Sequence, residues 1–265
     1  MSLPLFIVDA FADKPFAGNP AAICLLDRER DDVWLQALAG EMNLSETAYV
    51  LPRADGWGLR WFTPLVEVEL CGHATLATSH VLWETGRLKR DEPAIFHTRS
   101  GKLVCRSEDH WIAMDFPAEP AREAALTADL FDGLGVRPLF VGRNRMDIIA
   151  CLDSEQEVRD VVPNQLALGR IECRGIIITA RSSGPYDFVS RAFFPSCGVP
   201  EDPVCGSAHC CLGPFWHERL GKSELVGHQV SRRGGVVRMK CNGSRVTLRG
   251  SAITVLRGEL QPVLV

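Results

Sequence analysis

An α+β fold of two related lobes is what this sequence predicts, on three observations. Short apolar-alternating runs separated by Gly, Pro and Asp recur along the whole chain, whereas long helical patterns are few. One motif occurs twice, about half a chain apart. The 265 residues are 46% hydrophobic and 23% charged, an ordinary globular balance in a length that suits one large domain or two small lobes.

Taken in order, Leu5–Phe11, Ala21–Leu26, Thr47–Leu51, Leu59–Phe62, Leu103–Arg106 and Trp111–Phe116 read as strands in the first half. Phe140–Val141, Asp147–Leu152, Ile176–Ala180, Asp187–Phe194, Val236–Met239, Val246–Leu248 and Ile253–Leu256 do so in the second. Val33–Met42 places Trp34, Leu38 and Met42 on one apolar helical face. Residues 72–85 and 206–220 form two longer helical patterns, and Leu126–Leu134 a shorter one. Many strands with few long helices imply an α+β sheet or barrel.

The repeat is specific. Arg60-Trp61-Phe62-Thr63-Pro64 precedes Cys71-Gly72-His73-Ala74 by six residues, and Arg191-Ala192-Phe193-Phe194-Pro195 precedes Cys205-Gly206-Ser207-Ala208 by nine. Each Cys-Gly opens a helical pattern that closes near a Gly, at Gly86 in one copy and Gly221 in the other. Two related lobes follow, 1–117 and 118–256, divided near the Pro-rich stretch Pro117-Ala118-Glu119-Pro120, with residues 257–265 a candidate return to the first lobe.

Composition narrows the function. A net charge of −4 argues against a nucleic-acid or polybasic membrane binder. No apolar run approaches a membrane span of roughly 18 residues, and the N-terminus shows no basic export signal, so a cytoplasmic location is expected. The ten cysteines include no Cys-x-x-Cys pair, which leaves zinc ribbons and thioredoxin-like sites unsupported. Most lie in apolar segments and read as small buried hydrophobes. Cys205, His209 and Cys210 have a loosely metal-like composition, but no second ligand cluster accompanies them, and no metal is expected.

Cys71 and Cys205 stand apart, because a Cys-Gly step between strand and helix puts the thiol at a helix N-terminus. Unpaired amides and the helix dipole there favour a carboxylate ligand or a thiolate. If the lobes pack with pseudo-twofold symmetry, both helix starts face one cleft, an arrangement suited to proton removal and redelivery on a small molecule.

The segments Val8-Asp9-Ala10-Phe11 with Phe16-Ala17-Gly18-Asn19-Pro20, Met42-Asn43-Leu44-Ser45-Glu46-Thr47-Ala48, Arg60–Pro64, Leu70-Cys71-Gly72-His73-Ala74-Thr75 and Glu201-Asp202-Pro203-Val204-Cys205-Gly206-Ser207-Ala208-His209 resemble the PhzF-type phenazine-biosynthesis isomerases. The matches run from residue 8 to 209 in order, while 118–185 carries no functional motif. The resemblance implies the diaminopimelate epimerase-like fold, in which each pseudo-symmetric lobe is a barrel-like curved sheet around a central helix. It also implies a cofactor-free isomerase, a homodimer, that moves a proton within a small cyclic carboxylate such as dihydro-hydroxyanthranilate. By motif position the acid/base carboxylate falls on Glu46, and substrate contacts fall on His73, Asp202 and Ser207. The Gly72 and Gly206 helix starts and the Gly18-Asn19 turn join them.

The sequence departs from the family at the second Cys-Gly, where Thr rather than Cys205 is the expected residue. Related epimerases and racemases use two cysteines, one at each helix start, and proline racemase-like enzymes carry Cys-Gly-His. A two-thiol racemase using Cys71 and Cys205 is therefore the second enzymatic reading. A protein that keeps the fold as a non-catalytic small-molecule binder is the third. Read without the resemblance, Glu46 is an exposed acid, Asp202 before Pro203 a turn residue, and the two thiols packing residues.

Overall fold

The computed structural model describes residues 2–261. The chain forms two compact units, Met1–Asp115 with Arg249–Val265, and Phe116–Leu248. In order its elements are β1 (Leu3–Ala10), β2 (Asn19–Leu25), α1 (Asp32–Met42), β3 (Glu46–Arg53), β4 (Gly56–Phe62), β5 (Glu67–Val68), α2 (Gly72–Glu84), β6 (Ala94–Thr98), β7 (Gly101–Glu108) and β8 (Trp111–Pro117). There follow β9 (Arg122–Glu123), α3 (Ala128–Leu134), β10 (Phe140–Arg143), β11 (Asp147–Cys151), α4 (Glu155–Asp160), α5 (Gln165–Gly169), β12 (Gly175–Arg181), β13 (Phe188–Phe194) and β14 (Val199–Asp202). The last are α6 (Gly206–Leu220), β15 (Glu224–Gln229), β16 (Gly235–Asn242), β17 (Arg245–Gly250) and β18 (Ala252–Leu260). This is the α+β class expected, and no described helix is long and apolar enough to cross a membrane.

The first unit is a sheet ordered β18-β1-β2-β3-β4-β6-β7-β8, antiparallel except at β2–β3 and β4–β6. The second is ordered β9-β10-β11-β12-β13-β15-β16, antiparallel except at β11–β12 and β13–β15. The six pairings of the second order repeat the first six of the first, parallel and antiparallel alike, with the two-residue β5 and the four-residue β14 as matching side branches of β4 and β13. The repeated Cys-Gly motif is thus one visible piece of a whole duplicated topology.

The strand over Ile253–Leu256, inside the 118–256 bounds of the second lobe yet also a candidate to cross back to the first, is part of β18, which pairs along its length with β1, from Ala10↔Ala252 to Leu3↔Leu260, and so belongs to the first unit. The unpaired edge of β1 needs a partner for its backbone groups, and β18 supplies it. Of the proposed return segment 257–265, residues 262–265 lie outside the described residues.

Both sheets are covered on two faces, which is why strands such as β12 (Gly175–Arg181) are apolar at nearly every position rather than at alternate ones. On one face of the first sheet, α1 packs Leu35, Leu38 and Ala39 with Leu5, Cys24, Tyr49 and Phe62. Helix α1 is capped by Asp31, whose carboxylate accepts from the Trp34 amide at 2.8 Å, and it ends at Asn43 in a left-handed conformation. In the second unit α3, α4 and α5 cover a cluster that includes Leu130, Leu134, Val158, Leu168, Ile176, Ile178 and Phe193.

Helices α2 and α6 occupy the centre of their units. Helix α2 is buried from His73 through Ser79 and again from Val81 to Trp83, so it shows no amphipathic stripe. Its polar residues are satisfied within the helix: Thr75, Thr78 and Ser79 donate to the carbonyls of Cys71, Ala74 and Thr75 at 2.6, 2.7 and 2.9 Å. Helix α6 carries Pro214, which lacks the N–H that would bond Cys210 O. The Glu119 amide takes that carbonyl at 2.9 Å, tying the Pro117–Pro120 stretch to the helix.

A second repeated device steadies the approach to each helix. Arg60 on β4 grips Glu67 on β5 through two hydrogen bonds of 2.8 and 2.7 Å, and Arg191 on β13 grips Glu201 on β14 through two of 2.7 and 3.0 Å. Each guanidinium lies 5.1 Å from an aromatic ring two residues along, Phe62 or Phe193. Each glutamate stands four residues before its cysteine. Arg191 also donates to the carbonyls of Val158, Arg159 and Val161, closing the end of α4.

The clamp should register in stability. Arg191→Met leaves Glu201 and three carbonyls without their donor and is expected to cost about 2–4 kcal/mol in urea denaturation. Arg60→Met leaves Glu67 paired with Arg99 at 2.6 Å and should cost about half as much. A loss under about 0.5 kcal/mol for Arg191→Met, the range of neutral surface changes, would contradict the clamp.

Candidate active site

In the first unit the site begins at the start of α2. Cys71 is extended (φ −142°, ψ 109°), the helix begins at Gly72, and no side chain caps it. The first amides of α2 point out of the start of the helix, a setting that suits an anion.

His73, the second residue of α2, is only 4% exposed. Its Nε2 lies 3.1 Å from Glu46 Oε2. Its Nδ1 lies 3.2 Å from Asn19 Nδ2 and 3.5 Å from Cys71 Sγ. Asn19 is oriented in turn by Ser45, whose hydroxyl donates to Oδ1 at 3.1 Å. With the amide N–H directed at Nδ1, that nitrogen acts as the acceptor and the Nε2-protonated tautomer is the one that fits, its Nε2 lying close to the carboxylate without an aligned hydrogen bond to it. The parallel register of β2 and β3, with Ala21 opposite Glu46, brings Asn19, Ser45 and Glu46 to the same end of the sheet. Glu46 keeps 17% of its side chain exposed, enough to meet a ligand.

The turn before Asn19 is built for close approach. Gly18 has φ +65°, and a Cβ there would stand 2.1 Å from Ala10 O. Phe16 is also left-handed (φ +67°), and its amide donates to the carboxylate of Asp9, a residue 1% exposed, at 2.7 Å. Asp9 was not singled out from sequence; its place inside the Val-Asp-Ala-Phe run was the available signal.

Glu46, Cys71 and His73 offer ligand atoms within 4.8 Å of one another. The edges of a tetrahedral zinc site are about 3.3–3.8 Å, so this spread suits a hydrogen-bonded acid/base group better than a metal centre.

In the second unit Cys205 (φ −100°, ψ 106°) precedes α6, again with no side-chain cap. Its Sγ lies 3.3 Å from Ser207 Oγ. His209 Nδ1 donates to Cys205 O at 2.7 Å, as Thr75 does to Cys71 O in the first unit. Burial holds His209 neutral, pulling it down to about 4. Gln229 accepts from the Cys205 amide at 2.9 Å and donates to the Asp202 carbonyl at 2.6 Å. Arg174, held by two bonds to the buried Asp147, adds positive charge near the thiol.

Burial first, and then the Asp202 charge, push the Cys205 thiol well above the ordinary thiol range; Arg174, the Ser207 hydroxyl and the Ala208 amide only partly offset this. Burial also raises Cys24, Cys105, Cys210 and Cys211, each to about 12. These are packing thiols, as the apolar sequence around them indicates.

The structure thus assembles Glu46, His73, Asn19, Cys71, Gly72 and Gly18 at one helix start, and Asp202, Cys205, Gly206 and Ser207 at the other. With Arg60 and Arg191 in register, Tyr49 corresponds to Ile178, Glu46 to Gly175 and Ser45 to Arg174. His73 corresponds to Ser207. The duplicated frame therefore carries a carboxylate–imidazole pair in one unit only.

Comparison with known proteins agrees with this frame. Residues 8–258 match the PhzC-PhzF family, described as phenazine biosynthesis-like protein. An uncharacterized isomerase of Halalkalibacterium halodurans is 53% identical, over 98% of this chain and 99% of that protein. The crystal structure of a PhzF-family phenazine biosynthesis protein from Enterococcus faecalis is 38% identical, with a TM-score of 0.95 over 99% of this chain and 100% of that one. A hydroxyproline epimerase from Agrobacterium vitis, 12% identical over 98% of this chain and 91% of that one with a TM-score of 0.67, shares the fold alone. On these grounds the chain belongs to the PhzC-PhzF phenazine biosynthesis-like family and is an isomerase.

Proposed function

We propose that the protein moves a proton within a small carboxylate by acid/base catalysis from its own side chains, without a cofactor, in the manner of trans-2,3-dihydro-3-hydroxyanthranilate isomerase. The observation that carries this reading is the Glu46–His73 contact, with Nδ1 of the same ring held by Asn19. Glu46 takes a proton from carbon, the C–H electrons move into the adjoining unsaturated system, and the carboxylic acid so formed returns the proton at another carbon. No redox partner is needed. His73 Nε2–H faces Glu46 throughout and fixes the carboxylate's direction. By resemblance, Ser207 and Asp202 of the second unit are assigned to substrate contact, and the start of α6 is itself suited to an anion.

Replacing Glu46 by Gln keeps the shape and removes the base. Solvent-deuterium incorporation into trans-2,3-dihydro-3-hydroxyanthranilate is expected to fall by about 10²–10⁴-fold, with binding of 3-hydroxyanthranilate retained. Full activity in Glu46→Gln would take the chemistry away from this residue.

The thiols separate this reading from a two-cysteine racemase. A racemase that works in both directions needs each cysteine in turn as the thiolate, whereas Cys205 is held in the thiol form. The Cys71→Ala, Cys205→Ala double variant should therefore retain deuterium exchange within a few-fold. Loss of exchange with Glu46 intact, together with exchange at the α-carbon of L-proline in the unmodified protein, would establish the two-thiol reaction instead.

A further inference from the structure

Gln229 closes β15 and is completely buried. Both ends of its amide are engaged: Oε1 accepts from Cys205 N, and Nε2 donates to Asp202 O. Two residues on, Ser231 donates to the Pro203 carbonyl at 2.6 Å. Three side-chain bonds thus hold the backbone from Asp202, the last residue of β14, to Cys205, the residue before α6.

The choice of residue follows from that backbone. Buried peptide groups must be paired, and here the Cys205 N–H and the Asp202 carbonyl, on either side of Pro203 and Val204, both meet the Gln229 amide. A glutamine offers one acceptor and one donor at the ends of a single planar group. An apolar side chain of the same volume would remove both of these bonds. In the first unit the place corresponding to Gln229 is Thr98, and the next residue, Arg99, bonds Glu67 rather than the peptide before the helix. The peptide clamp is thus particular to the second helix start.

We propose that Gln229 is a positioning residue of the isomerase site: it sets the direction in which Asp202 is presented and the point at which α6 begins. By taking the Cys205 amide, it leaves the following amides, of Gly206 and Ser207, as the donors offered to a substrate carboxylate. It touches no substrate itself. The role rests on the reaction proposed above.

The test uses Gln229→Glu and Gln229→Met in the full chain. Glutamate keeps an acceptor for Cys205 N, but its second oxygen faces the Asp202 carbonyl. Ionised, that oxygen repels the carbonyl; protonated, it donates and restores the clamp. Burial raises a carboxyl pKa, so the clamp returns as pH falls. Deuterium exchange of trans-2,3-dihydro-3-hydroxyanthranilate in Gln229→Glu, relative to the unmodified protein at each pH, should be down about 10–100-fold at pH 8 and recover towards pH 5–6, about where buried carboxyls begin to protonate. The deficit should lie in KM more than in kcat. Gln229→Met should stay low throughout.

Both variants within twofold of the unmodified protein at every pH, about the size of a neutral substitution, would make Gln229 a space-filler and overturn the proposal. If the unmodified protein exchanges no hydrogen, it is the reaction that fails, and amide hydrogen exchange of residues 203–208 then reports on the clamp alone. Loss of protection in Gln229→Glu that reverses at low pH supports it, and unchanged protection overturns it. Should both variants misfold, Ser231→Ala removes only the outer tie; it should raise KM about 2–5-fold, and an unchanged KM with unchanged protection counts against the clamp.

Discussion

His73, almost completely shut inside the protein at the first turn of α2, has little water to serve its ring nitrogens, so the groups placed around them decide what the ring can do. Asn19 answers Nδ1 and Glu46 faces Nε2. Much of the local architecture serves these two contacts. The parallel pairing of β2 with β3 brings the partners to one sheet end. The left-handed Gly18 and the Asp9-anchored turn deliver Asn19, and Ser45 decides which way its amide points. Moving any one of these would present Nδ1 with the wrong group and turn the ring proton away from the carboxylate.

The duplicated frame shows how one scaffold comes to hold an asymmetric reaction. Topology, the Arg–Glu clamp and the uncapped Cys-Gly helix start are common to both units. What differs is what stands on the frame: Glu46 against Gly175, His73 against Ser207, and a peptide clamp by Gln229 against none. The cysteines are shared, and at Cys205 the burial that keeps the helix start dry also keeps the thiol protonated.

The fold was legible where local signals were strong. Alternating apolar runs marked thirteen of the strands, and the Cys-Gly repeat announced the two lobes. Five went unread: β5, β9 and β14 have only two to four residues and β6 five, while Glu224-Leu225-Val226-Gly227-His228-Gln229 of β15 mixes a glycine with polar residues, its place fixed by pairing with distant β13 and with β16. Helices α4 and α5, of six and five residues, are too short for periodicity, and their caps at Ser154 and Asn164 are the only local marks. At the site, His73 and Ser207 were readable from their helix starts. Glu46 was reached only by resemblance, since nothing in Leu-Ser-Glu-Thr distinguishes a buried-edge acid from an exposed one. Asp9 and Gln229 escaped because their partners are peptide groups, which leave no trace in residue type.

The tautomer of His73 is the central physical claim, and nitrogen-15 NMR of the histidine rings reads it directly, with the signal assigned by its loss in His73→Asn. At neutral pH the account predicts an unprotonated Nδ1 accepting from Asn19 and a proton on Nε2 facing Glu46. A proton found on Nδ1 would mean that the ring does not present its N–H to the carboxylate, and the acid/base pair described here would not exist.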